Sequence, residues 1–391
     1  MIAATLTEVS IEGLDMNTLK VIHFVTGGFS GSTSVAIDLV KSTLGNTKFD
    51  SLLVLRRKKS KHDIKIQQLR NQGVPLELVT SWSSIATIVA LVKICRNYKP
   101  DIIVCHGFSE HLWGRYAGLI AGVPHLIHVE HNSRERYTPW RLMQARWLAK
   151  YTDKIVGCSE GVREELLRLK FPANKTLTIN NGIDLSPYAN SDNISLKERA
   201  AGIVMAARFA KQKDHLTLIK AVALLREKNI FPPLYLAGAG SKKHMKKAKK
   251  LVKELKLKEQ VKFLGFCTNV PELLQQNKVC ALTTHYEGMP LSLCEGMASG
   301  CVVVGSEVVG LKEMIQHNKD GLLVTPDSSQ SLANALHIAL IDSSFTHQLS
   351  ENARERALQQ FGKQQMIKNY ENLFLSIVRQ PEAVFRESLF Y

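Results

Sequence analysis

Apolar residues in this chain fall into short dense runs separated by longer amphipathic stretches, and the two kinds of segment alternate. In the first half the runs predict strands over 20–25, 51–55, 76–79, 102–105, 126–130 and 154–158. Between them the apolar spacing predicts helices near 33–44, 84–97, 109–121, 139–150 and 160–169. The second half restarts the rhythm, with strands over 202–206, 234–237, 260–263, 279–282, 301–304 and 321–324 and helices between them. Helices near 330–341, 350–360 and 363–378 close the pattern. Regular strand and helix alternation argues parallel, doubly wound sheets. The polar stretch 187–199 reads as the joint between two such units.

One segment, 287–313, carries the most chemistry. Pro290 suits the first turn of a helix and Gly300 the position just past its end, which predicts a helix over 291–299. Its free N–H groups and positive dipole end then lie at Gly288, Met289, Pro290 and Leu291, a site suited to an anion. Glu287 stands in the loop before that end, and Glu295 lies on the second turn, so the two carboxylates can reach different parts of one ligand. Spacing alone equally allows a solvated loop acid and an ordinary helix-surface glutamate. Arg208 and Lys213 follow the strand at 202–206, placed to reach an anion at the strand ends. A rigid guanidinium fork and a point charge suit a departing diphosphate; the other reading is surface charge in a basic loop.

These features come in a recognisable order. Glu287 and Glu295 stand as E-x7-E, followed by Gly300, Gly310, Glu313 and Asp320-Gly321-Leu322-Leu323-Val324. Arg208 and Lys213 stand in RFAKQK, Asn181-Gly182-Ile183-Asp184 precedes them, Val261 to Gly265 reads VKFLG, and Gly27-Gly28 follows the first strand. The set resembles the retaining glycosyltransferases of family 4, and departs from their pattern at Gly296, Cys301 and Val309. The resemblance implies an α/β chain of GT-B type, two Rossmann-like domains facing across a cleft with a C-terminal helix crossing back to the first. Expected bounds are 1–190 for the acceptor-side domain, 200–365 for the nucleotide-sugar domain and 366–391 for the crossing helix and tail. It further implies catalytic roles for Glu287, His131, Arg208 and Lys213, and donor contacts from Gly28, Arg208, Lys213, Gly265, Gly288, Met289, Pro290, Leu291 and Glu295. His106 and His128 compete with His131 for the histidine role.

Composition narrows the partners. The chain has 391 residues, 45% hydrophobic and 22% charged, enough for two cores. Seven scattered cysteines without a C-x-x-C pair argue against a zinc site or a disulfide framework. Asp-x-Asp, a metal-linked nucleotide-sugar signature, does not occur, so no metal and no cofactor is expected. Net charge is +16, concentrated in Arg56, Arg57, Lys58, Lys59 and Lys61 and in nine lysines over 242–258. The first block is expected to meet an anionic membrane surface or the acceptor. In the second, Met245, Ala248, Val252 and Leu255 recur at helical spacing, which predicts a stripe packed on a sheet with lysines outward. No run approaches the ~20 apolar residues of a membrane span, and the polar start with Glu8, Glu12 and Asp15 is no basic, apolar leader. The expected location is therefore cytoplasmic and peripheral on the inner face of the cell membrane. The expected reaction moves a hexose or N-acetylhexosamine from a nucleotide diphosphate sugar, UDP the first choice, to a polyprenyl-diphosphate-linked glycan in cell-surface polysaccharide synthesis. The alternatives are a nucleotide-sugar epimerase of the same architecture and a basic nucleic-acid-binding protein. The lysine segments lack the interleaved aromatics that nucleic acid would favour.

Overall fold

The computed structural model describes residues 18–57, 63–133, 137–189, 195–341 and 343–379. Seven parallel strands form the first sheet: β1 (Leu19–Thr26), β2 (Phe49–Arg56), β3 (Leu76–Val79), β4 (Ile102–His106), β5 (His125–Glu130), β6 (Lys154–Gly157) and β7 (Thr176–Thr178). Their order is β3-β2-β1-β4-β5-β6-β7. Six more form the second: β8 (Ala200–Ala206), β9 (Leu234–Ala237), β10 (Val261–Gly265), β11 (Asn277–Leu282), β12 (Val302–Ser306) and β13 (Leu322–Val324), in the order β10-β9-β8-β11-β12-β13.

The central strands are apolar without alternation because helices cover both faces of each sheet. In β1, Ile22 and Phe24 pack with Leu91, Val92 and Cys95 of helix Ser84–Tyr98, while Val21 faces Val35 and Leu39 of helix Gly31–Lys41. Every residue of β4, β11 and β12 is buried.

The last described helix, Lys363–Arg379, returns to the first sheet. Its Met366, Tyr370, Phe374 and Ile377 pack on Val21, Ile102 and Val104. The return runs beside the outward crossing. Ile183 N–H donates to Phe361 O at 2.8 Å, and Lys363 N–H donates to Ile183 O at 2.8 Å. Gly182 is required there, since a Cβ would sit 2.5 Å from Lys363 Cα. This is the GT-B arrangement expected.

Two local expectations are refined, and two elements are added. Among the described residues of the 187–199 joint, Tyr188, Leu196 and Arg199 are buried despite its polar composition, and Arg199 donates to Gly300 O at 2.9 Å. Helix Ser344–Gln360 starts well before residue 350, because Ser343 accepts from Thr346 N–H and caps it. Helix Asp63–Asn71 and β7 lie in segments too polar or too short for periodicity to reveal. In helix Lys242–Glu254, Ala248 and Val252 are buried as the spacing predicts.

Candidate active site

Each sheet reverses its strand order at one place, between β1 and β4 in the first and between β8 and β11 in the second. Loops leaving the carboxyl ends of strands at such a point diverge and leave a crevice. Here the two crevices share one cavity of about 510 Å³, lined by Ser30 and Gly31 after β1, Gly107 after β4, His131 after β5, Arg208 and Lys213 after β8, and 287–292 with Glu295 after β11.

The β8 and β11 loops are stitched together. Gln212 Nε2 donates to Tyr286 O at 2.7 Å, and His285 N–H donates to Gln212 O at 3.0 Å. Thr284 Oγ1 donates to Glu287 Oε1 at 2.7 Å, and Lys213 Nζ pairs with the same oxygen. Both partners are close to fully covered, with side chains 12% and 8% exposed. Arg208, by contrast, is exposed at the cavity edge and its guanidinium has no partner among the described residues. Pro290 caps helix Leu291–Ala298 without any side-chain hydrogen bond, so the dipole end faces the cavity uncovered. Glu295, on the same helix, is pushed up to about 7 by burial.

Close backbone contacts hold the two halves in register. A Cβ on Gly288 would lie 2.3 Å from His131 O across the cleft, and one on Gly310 would lie 2.2 Å from Gly288 O. Glycine at both positions lets the Glu287 loop be pinched between the two domains.

Of the expected donor contacts, Arg208, Lys213, Gly288, Met289, Pro290, Leu291 and Glu295 line the cavity, as do His131 and Glu287. Gly28 and Gly265 do not. The neighbours Phe29, Ser30 and Gly31 take the place of Gly28. Gly265 acts one layer back, where its carbonyl accepts from Gly238 N–H at 2.6 Å. Gly238 in turn packs against the Arg208 loop, since a Cβ there would meet Ala207 O at 2.1 Å. Gly238 and Gly240 were not singled out in the sequence, although the A-G-A-G run after β9 carries that signal. Asn181 of the Asn181-Gly182-Ile183-Asp184 run and Gln212 within RFAKQK also line the cavity, as do Asn132 and Ser292, which no motif marked.

The basic block at the end of β2 is only partly visible. Arg56 turns inward, 3.5 Å from Glu110, and does not line the cavity. Arg57 is exposed and reaches Asp63 at 3.9 Å. Lys58, Lys59 and Lys61 lie outside the described residues.

Two groups among the described residues have metal-ligand spacing, His111 with His128 and Glu130, and Asp214 with His285 and Asp327. The first is already committed. His111 Nδ1 meets Arg115 Nη2 at 2.7 Å and its Nε2 meets Tyr137 Oη at 2.9 Å, which leaves no ring nitrogen for a cation. In the second, Asp214 caps helix His215–Glu227 by accepting from Thr217 N–H.

Known proteins share this construction. The family profile described as Glycosyl transferases group 1 matches residues 189–356, and that described as Glycosyltransferase Family 4 matches 46–187. The chain is 25% identical over 353 residues to a UDP-Gal:alpha-D-GlcNAc-diphosphoundecaprenol alpha-1,3-galactosyltransferase of Escherichia coli, with 86% of this chain and 91% of that one covered. It is 30% identical over 275 residues to a GalNAc-alpha-(1->4)-GalNAc-alpha-(1->3)-diNAcBac-PP-undecaprenol alpha-1,4-N-acetyl-D-galactosaminyltransferase of Campylobacter jejuni, covering 68% of this chain and 72% of that one. Among solved structures, Anabaena HepE in complex with UDP matches with a TM-score of 0.79 at 22% identity, over 92% of this chain and 100% of that one. With two family profiles meeting near the crossing between the sheets and a relative at 30% identity, the chain belongs to the group 1, family 4 glycosyltransferases and is an enzyme of that class.

Proposed function

We propose that this enzyme transfers a hexose or N-acetylhexosamine from UDP-sugar to a polyprenyl-diphosphate-linked glycan, with retention and without a metal, at the cytoplasmic face of the membrane. The observation that carries this reading is the convergence of Arg208, the uncapped start of helix Leu291–Ala298 and Glu295 on one cavity that His131 enters from the other domain. The cation and helix dipole suit the diphosphate, Glu295 the ribose hydroxyls, and His131 the sugar. The relatives named above act on undecaprenol-diphosphate-linked substrates, which supports the acceptor class.

Glu287 is poorly suited to be a covalent nucleophile, because Lys213 and Thr284 already hold its Oε1. Retention is therefore assigned to front-side attack. The acceptor oxygen bonds to the anomeric carbon as the bond to the β-phosphate oxygen breaks, the acceptor proton passes to that phosphate, and UDP leaves. Arg208 and the helix start stabilise the charge that grows on the diphosphate, the work a divalent ion does elsewhere.

The test is a UDP-release assay across UDP-sugars with and without a lipid-diphosphate glycan. UDP release should require acceptor, the product should keep the donor's anomeric configuration, and the rate should survive excess EDTA. Release without acceptor would favour the epimerase reading, and loss of activity restored by Mn²⁺ would overturn metal independence.

Membrane contact is assigned to one helix in addition to the basic block. No described helix is long and apolar enough to cross a membrane. Helix Pro139–Ala149, however, exposes Trp140, Met143 and Trp147 at 65, 53 and 40% on a helix that also carries Arg141 and Arg146, with Lys150 following. Tryptophans among basic residues favour the lipid headgroup region. Trp140→Ala with Trp147→Ala should lower co-sedimentation with anionic liposomes several-fold at physiological salt. Sedimentation equal to wild type would remove this helix from the membrane contact.

A further inference from the structure

Behind the cleft, three histidines on neighbouring parts of the first sheet form a continuous line. His23 lies on β1, His106 ends β4, and His131 follows β5. His23 Nδ1 is 3.1 Å from His106 Nε2, and His106 Nδ1 is 3.1 Å from His131 Nε2. The rings stack in series at centroid separations of 5.4 Å, tilted by 28° and 20°. His23 and His106 are 1% and 0% exposed. At the end of the line His131 lines the cavity, and its Nδ1 is buried with no hydrogen-bond partner.

Two neutral imidazoles at that N···N distance share one proton, one nitrogen donating and the other accepting. The rule propagates. If His106 Nε2 donates to His23, then His106 Nδ1 is bare and must accept from His131 Nε2. If His23 Nδ1 donates instead, His106 Nδ1 carries a proton and donates to His131. The line thus has two neutral states, every ring protonated on Nε2 or every ring protonated on Nδ1.

The line is not built to conduct charge. Accepting a proton from the cleft would leave an imidazolium inside the sheet. Burial holds His23 down to about 3 and His131 to about 4, and His106 well below the ordinary histidine range. The line stays neutral and is not a sink for the acceptor's proton.

We propose that His106 and His23 are positioning residues that tie the tautomer of His131 to their own, so that its Nδ1 presents one hydrogen-bonding sense to a sugar hydroxyl in the cleft. This inference rests on the cleft being the sugar-transfer site proposed above. The chemistry it implies is selection by a single hydroxyl: a sugar epimer that turns that hydroxyl away loses the contact, as does a deoxy sugar.

Two measurements test it. Nitrogen-15 NMR of histidine side chains in the wild-type enzyme reads the tautomers directly and does not depend on activity. His23, His106 and His131 should share one tautomer at neutral pH. Opposite tautomers on any two of them, or a mixed population on His131, overturn the proposal. The second measurement uses His106→Phe, which keeps ring stacking but cannot bond His131, and His106→Asn, whose amide can. His106→Phe should mix the His131 tautomers and lower kcat about tenfold, the loss of one hydrogen bond, with the Kd for UDP unchanged. His106→Asn should recover most of that loss. A single His131 tautomer together with wild-type kcat in His106→Phe would show that the line does not set the tautomer. Mixed tautomers with wild-type kcat would overturn the proposed contact between His131 and the sugar.

Discussion

Arg208→Ala lowers kcat on the order of 10²–10³-fold, the usual loss when one preorganised charge-stabilising donor is removed, and leaves thermal stability unchanged. Both halves of this expectation come from its surroundings. Arg208 is exposed at the cavity edge and its guanidinium holds no partner among the described residues, so the fold has nothing to lose. The diphosphate has much to lose, because its charge is greatest as it departs, and the effect should fall on kcat more than on KM. Lys213→Met is a different experiment. It strands Glu287 in a covered position, and breaking such a pair costs about 3–5 kcal/mol, so stability and activity fall together. Measuring kcat, KM and the melting midpoint for both variants separates the roles. An Arg208→Ala enzyme with wild-type kcat would remove it from the charge-stabilising site.

The second large effect concerns Glu295 and has a pH signature. Burial raises its carboxyl from 4.5 to about 7, so the folded state keeps a proton that the unfolded chain releases across that window. Stability contributed by the protonated form is fully present below pH 4.5 and is lost as pH rises through 7. The penalty on the ionised form is about 3 kcal/mol. Glu295→Gln should therefore melt close to wild type near pH 4.5 and several degrees higher at pH 8, without nucleotide present. At pH 8, where the carboxyl is ionised, the same variant should bind UDP about 10- to 100-fold more weakly, since a hydrogen bond from ribose to a charged acceptor is lost. Equal melting differences at both pH values would show that Glu295 carries no burial penalty.

Much of this architecture could be read in the chain because its signals are local. The Val-rich run at 302–304 is apolar throughout since both faces of the strand are covered, and Pro290 and Gly300 bracket a helix of the expected length. Arg208, Lys213 and Glu287 reach one cavity because each follows a strand that abuts the switch point. What stayed hidden depends on pairings across the sheet. His23, His106 and His131 are separated by 83 and 25 residues, and nothing in their immediate neighbours announces that β1, β4 and β5 lie side by side. Arg56 reads in the sequence as one of a run of cations facing an anionic surface or the acceptor. Its strand register turns it toward Glu110 instead. Trp140, Met143 and Trp147 have the spacing of a buried stripe, and only Ala145, Leu148 and Ala149 of that helix are in fact buried.

The paired crossings at Ile183 and Phe361–Gly362 bear on how the protein is made. One face of the first sheet is completed by Met366, Tyr370, Phe374 and Ile377, which leave the ribosome only after the whole second sheet. Until then Val21, Ile102 and Val104 have only the part of their cover that Val35 and Leu39 supply, so the first half of the chain waits on the ribosome as an incomplete body with an apolar flank, the kind of surface chaperones occupy. The enzyme is thus assembled around its second domain. A nascent chain stalled before residue 363 would be a target for aggregation and proteolysis however well its first 180 residues had folded.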